Sequence, residues 1–173
     1  MKLLLFSGTH SRHLFINQEL LKMFDDVLVI VMQRENIIPE TPSNLNDLDK
    51  TLFKKHFDNR IKVEEKIYGN LIPEEVYKKN KTIYIKRSEL NTLELANKIE
   101  KYNPDFAFIF GVDLILDPVI DKLPKDKINL HLGLSPWYKG GATLYHPFYH
   151  LRPQFCGITF HQITKKADAG EII

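Results

Sequence analysis

Two hydrophobic habits alternate along this chain. Unbroken apolar runs of strand length recur at residues 2–8 (KLLLFSG), 26–33 (DVLVIVMQ), 105–111 (DFAFIFG), 127–133 (KINLHLG) and 155–163 (FCGITFHQI). Between them lie stretches whose apolar residues return at every third or fourth position, the period of a helix with one buried face. Residues 11–24 place Leu14, Leu20, Leu21 and Phe24 on such a stripe, and residues 91–105 do the same with Leu95, Ala96, Ile99 and Tyr102. In the second stretch Asn91 and Glu94 have the spacing of a capping box, and Pro104 ends the helix.

Runs that are apolar on both faces read as buried parallel strands, and strands alternating with helices read as βαβ units. The pattern therefore predicts an α/β, Rossmann-like fold with a mostly parallel central sheet and helices on both faces. Residues 81–87 (KTIYIKR) are less apolar and fit an edge strand. Residues 34–80 exceed what a crossover needs and read as an insertion at the sheet edge, with Leu45, Leu48, Leu52 and Phe53 marking a helix inside it. Residues 1–173 read as one domain. The closing run ADAGEII (167–173) reads as strand cut off mid-domain, the expectation for a piece of a longer polypeptide.

Composition narrows the classes. Lys and Arg number 24 against 22 Asp and Glu, a formal charge of +2, and the two signs are interspersed, so no basic stripe for nucleic acid is present. The one cysteine, Cys156, excludes an internal disulfide and suits a reducing compartment. Set in an apolar run, it reads as a small buried strand residue. The apolar run Leu3 to Phe6 is too short for a secretory h-region or a membrane span. A cytoplasmic protein without membrane partners is the expectation.

The chemistry concentrates after residue 128. Asn129 and His131 point the same way from a strand, at the carboxyl end where open α/β sheets bind ligands. An unpaired buried polar group costs about 1–3 kcal/mol, so either the fold or a ligand must satisfy them. Taken alone the two residues fit a hydrogen-bonded core pair. The loop that follows (LSPWYKGG, 134–141) and the carboxylate of Asp168, set among Ala167, Ala169 and Gly170, turn the reading toward a site. An amide to donate to an oxyanion, an imidazole to support charge and a carboxylate to handle a proton compose an acyl-transfer set. His161 reads as a satisfied structural residue. His146 and His150 are spaced for one helix face and suggest a zinc pair, but no Glu follows the first His as a metalloprotease helix requires, and no metal is expected.

Residues 128–140 (INLHLGLSPWYKG) followed by 157–173 (GITFHQITKKADAGEII) resemble the folate-dependent formyltransferase family. Its motif runs Asn-x-His, a Pro and Gly loop, a Gly-x-Thr-x-His strand and an Asp-x-Gly turn. The resemblance implies transfer of a formyl group from 10-formyltetrahydrofolate to an amine. Asn129 would stabilise the oxyanion, a cationic His131 would assist, and Asp168 would orient the histidine or a water and take the amine's proton. It also implies folate contacts, mostly through main-chain groups, at Val112, Leu114 and Leu116 and from Ile163 through Thr164 and Ala167 to Asp168.

The chain also departs from the family. It reads HLGLSP where many members read His-Pro-Ser-Leu-Leu-Pro, which leaves the path of that loop open. Its first loop, SGTHSRHL, lacks the second glycine that purine-pathway members use to cradle a phosphate. An amino sugar, nucleotide-linked, is therefore the favoured small-molecule acceptor. Trp137 and Tyr138 are placed to stack on a ring, with Lys139 and Gly140 beside them, and His10 and Arg12 to meet a phosphate. The alternatives are a formyltetrahydrofolate hydrolase, a formyltransferase of the glycinamide ribonucleotide or methionyl-tRNA type, a zinc hydrolase on His146, His150 and His161, and a non-catalytic folate-binding fragment. A homodimer is compatible with all of these.

Overall fold

The computed structural model describes residues 1–33 and 38–173. Its six strands are β1 (Lys2–Ser7), β2 (Asp26–Gln33), β3 (Lys81–Lys86), β4 (Phe106–Phe110), β5 (Asp126–His131) and β6 (Thr159–Gln162). They form one sheet in the order β3-β2-β1-β4-β5-β6. Every pairing is parallel except β5 with β6, which is antiparallel. The chain winds outward from β1 to β3 and then restarts on the other side at β4. Such a reversal opens a crevice at the carboxyl ends of β1 and β4, where ligands of doubly wound sheets bind.

The continuous apolar runs end up where two-sided burial is required. Leu3, Leu4, Leu5 and Phe6 of β1 are fully buried, as are Val29 to Met32 of β2. On one face Leu4, Phe6, Leu28 and Ile30 pack against Leu95, Ala96 and Ile99 of the helix Leu93–Tyr102 and against Val119 and Ile120. On the other, Leu3, Leu5, Val27 and Val29 pack against Leu14 of the helix Ser11–Leu21, with Leu20, Leu21 and Phe24 at its margin. These two helices are α1 (Ser11–Leu21) and α4 (Leu93–Tyr102). The remaining ones are α2 (Asp47–Tyr68), α3 (Pro73–Val76) and α5 (His146–Tyr149).

The connection from β2 to β3 carries α2 and α3, and its first four residues, 34–37, lie outside the described ones. Far from being only peripheral, this segment contributes Tyr77 to the core. The Tyr77 hydroxyl donates to Ser7 Oγ at 2.8 Å, and Asn17 Nδ2 donates to both oxygens, at 2.8 Å to Ser7 and 2.7 Å to Tyr77. That buried network ties the carboxyl end of β1 to α1 and to the segment after α3. Burial, opposed by these hydrogen bonds, pushes the Tyr77 phenol above its ordinary value.

Two expectations need correction. The cap of α4 is Thr92, whose hydroxyl accepts from Leu95 N at 3.3 Å, and not Asn91. Cys156 is exposed, because the strand begins only at Thr159 and Pro153–Phe155 form a 3₁₀ turn, Pro153 having no N–H for a ladder. The apolar closing run does pair as a strand would: Ile172 bridges antiparallel to His161, with Gln162 N donating to Glu171 O at 2.8 Å and Ile173 N to Phe160 O at 3.0 Å, so it lies against β6. Among the described residues no helix is long and apolar enough to cross a membrane.

Candidate active site

Asn129 and His131 emerge from the end of β5 on one face of the sheet, and the antiparallel register sets His161 of β6 directly opposite Asn129. Asn129 Nδ2 lies 3.1 Å from His161 Nε2. Asp168 returns over the same edge, its Oδ1 at 3.3 Å from His161 Nε2 and 3.4 Å from His131 Nδ1. The predicted amide, imidazole and carboxylate therefore converge, with His161 as a fourth member. The register that places His161 follows from treating 127–133 and 155–163 as an antiparallel pair, a signal the sequence held.

Main-chain partners fix the protons. His131 Nε2 is 2.9 Å from the Tyr138 carbonyl, and His161 Nδ1 is 2.8 Å from the Gln162 carbonyl. A carbonyl only accepts, so these nitrogens carry hydrogen. In the neutral imidazoles both nitrogens that face Asp168 Oδ1 are then bare. The bare Nε2 of His161 accepts an N–H of Asn129. Of the two N–H groups of Asn129, one meets His161 and the other is left to donate elsewhere.

The loops are held in place by specific residues. Asp168 sits at φ +46°, a left-handed conformation that Asp tolerates better than most residues, and its Oδ2 accepts from Gly140 N at 2.7 Å. Gly140 itself is at φ +85°, which favours glycine. In the departure HLGLSP the glycine is required: a Cβ on Gly133 would stand 2.5 Å from His131 Nε2 and 2.6 Å from the Tyr138 carbonyl. Thr159 fastens this loop to β6, donating to Gly133 O at 2.7 Å and accepting from Ser135 N at 2.9 Å.

The remaining predicted positions fall into three groups. Val112 packs against the core while Leu114 and Leu116 are exposed after β4. Their backbone is clamped by Asn91, which donates to Leu114 O at 3.0 Å and accepts from Leu116 N at 2.8 Å. Ile163 packs on the core, whereas Thr164 and Ala167 are exposed on the loop that carries Asp168. Lys165 of that loop pairs with Asp117 at 2.8 Å, so the two loops are tied together. Trp137 is 63% exposed and stands 5.3 Å from Phe155, Tyr138 is half-buried, and Lys139 is exposed.

His10 and Arg12 are not brought into the cluster. His10 caps α1 and lies edge-on to His13 at 5.4 Å. Arg12 Nη1 donates to both oxygens of Glu64 on α2, at 2.7 and 2.9 Å, and Arg60 donates to the same carboxylate at 2.9 Å. Burial raises the Glu64 carboxyl, but the Arg60 hydrogen bond and the charges of Arg12 and Arg60 outweigh it and leave it below its ordinary value. A depressed carboxylate stabilises the fold above its unfolded value and loses that contribution as pH falls through the folded one. Glu64→Gln is accordingly expected to cost about 1–2 kcal/mol at neutral pH, as for a partly exposed ion pair with one partner removed. The difference from wild type should vanish in acid; thermal unfolding at both pH values checks it, and a pH-independent difference would contradict it.

His146 and His150 stack at 6.1 Å, but His161, the third ligand of the zinc alternative, is bound up with Asn129 and Asp168 instead. Among the described residues no group of three or more His, Cys, Asp or Glu is placed to hold a metal ion.

The formyl transferase family model matches residues 50–173, which include β5, β6 and the whole cluster. The chain belongs to the formyl transferase family. It is 30% identical over 119 residues to the bifunctional polymyxin resistance protein ArnA of Wigglesworthia glossinidia brevipalpis, a match covering 68% of this chain and 18% of that one. The chain thus spans under a fifth of that relative's length. Among solved structures, phosphoribosylglycinamide formyltransferase from Bacillus halodurans aligns over 100% of this chain and 77% of its own at a TM-score of 0.60 and 15% identity. Glycinamide ribonucleotide transformylase 1 from Symbiobacterium toebii does so over 100% and 70%, at 0.58 and 14%. At such identities these two establish that this formyl transferase shares their fold.

Proposed function

We propose that this formyl transferase moves the formyl group of 10-formyltetrahydrofolate onto the primary amine of an amino sugar carried by a nucleotide. The observation that carries the reading is the meeting of His131, His161 and Asp168 around one carboxylate oxygen, with an Asn129 N–H beside it. Bound folate supplies an acyl group activated on nitrogen. The spare N–H of Asn129 donates to the formyl oxygen as negative charge develops there, and His131 supports the same charge. The incoming amine must be neutral to attack the formyl carbon; the proton it loses passes through the Asp168 and imidazole cluster to N10 of the folate as the bond from the formyl carbon to N10 breaks and tetrahydrofolate leaves.

The residues present suit a folate. Leu114 and Leu116 offer exposed apolar surface on a backbone that Asn91 holds, and the Lys165–Asp117 pair ties that loop to the one that carries Asp168. The acceptor is argued from Trp137 and Tyr138, whose rings stand by the loop that holds His131, and from Arg12, whose charge Glu64 already neutralises. With 10-formyltetrahydrofolate and a panel of amino-sugar nucleotides, mass spectrometry is expected to find a formylated acceptor. Formate without formylated acceptor would instead assign a hydrolase, and neither product would overturn the reading.

A further inference from the structure

Beyond the catalytic cluster, Trp137, Tyr138, His150, Arg152 and Phe155 enclose a cleft of about 370 Å³. That volume suits one small ligand and not a macromolecular segment. Its walls are aromatic: Phe155 stands 5.3 Å from Trp137 and 6.4 Å from Tyr138, and Tyr138 lies 6.5 Å from His150 at a shallow interplanar angle of 30°. No acidic residue lines it, and among the described residues Arg152 has no carboxylate partner. Aromatic faces bind planar heterocycles, and an unpaired guanidinium binds phosphate oxygens in pairs.

The cleft also adjoins the chemistry. The Tyr138 ring forms its wall while the Tyr138 carbonyl accepts from His131, and Gly140, two residues on, donates to Asp168. It shares no lining residue with the segments assigned to folate. We infer that this cleft is the nucleotide subsite of the acceptor: a nucleobase stacks against Trp137 and Phe155, and the diphosphate is held by Arg152. The inference rests on the proposed function and names the part of its substrate that this surface reads.

Trp137 is the one tryptophan of the chain, so intrinsic tryptophan fluorescence reports this cleft directly. Titration of the full chain with UDP, dTDP and GDP is expected to give saturable quenching by at least one of them. Phe155→Ala and Arg152→Ala should each weaken that binding at least tenfold. Binding of a non-reactive 10-formyltetrahydrofolate analogue, followed by calorimetry, should be unchanged in both variants, which also shows that they fold. Nucleotide binding that survives both substitutions, or a wild-type chain that binds the folate analogue but no nucleotide, would overturn the subsite and leave formyl transfer standing. A wild-type chain that binds neither would overturn both.

Discussion

Asp168→Asn is expected to slow formyl transfer at least a hundredfold while leaving the fold in place. Asn is at ease in the left-handed conformation that residue 168 adopts, and its amide oxygen can still accept from Gly140 N. Its NH₂ group would even donate to the bare nitrogens of His131 and His161. What disappears is the group that can receive a proton, so the geometry survives and the chemistry does not. Asn129→Ala should lose a similar factor for a different reason, the absence of a donor where charge develops, for which such deletions cost about a hundred- to a thousandfold in turnover. Both effects belong in kcat, with KM for the folate little changed. Turnover near wild type in either variant would remove these residues from the mechanism.

Gly133→Ala is expected to lower kcat ten- to a hundredfold from outside the reacting groups. The added methyl would occupy the space between His131 Nε2 and the Tyr138 carbonyl, the bond that fixes which imidazole nitrogen faces Asp168. Either the imidazole or the loop must move, and displacements of an ångström at a reacting centre cost on this order. Gly141→Ala is the control, since a methyl there meets nothing within 4 Å. Equal activity in the two variants would show that the position of Tyr138 does not govern His131. A loss confined to Gly133→Ala would tie the unusual HLGLSP loop to catalysis.

The sheet and its two covering helices were legible because burial on both faces leaves unbroken apolar runs and burial on one face leaves a helical stripe. The convergence of Asn129, His131 and Asp168 was legible from strand alternation and from the small residues around the aspartate. Asn91 was misread because Asn at a helix start has two uses. It can cap, or its amide can clamp a distant backbone, and contacts made across 23 and 25 residues leave no local trace. Gly133 and the Tyr138 carbonyl were invisible for a related reason: a main-chain acceptor has no side chain to announce it. His161 looked structural because it sits inside a strand run; its role in joining Asn129 to Asp168 emerges only from the pairing of β5 with β6.

The most direct measurement is a crystal structure of the chain with a non-reactive 10-formyltetrahydrofolate analogue. The carbonyl mimic is expected within hydrogen-bond distance of Asn129 Nδ2, with the pteridine between residues 112–116 and 163–168. An analogue bound away from Asn129, His131 and Asp168, for instance at the amino ends of the strands near Lys2 and Lys81, would contradict the account.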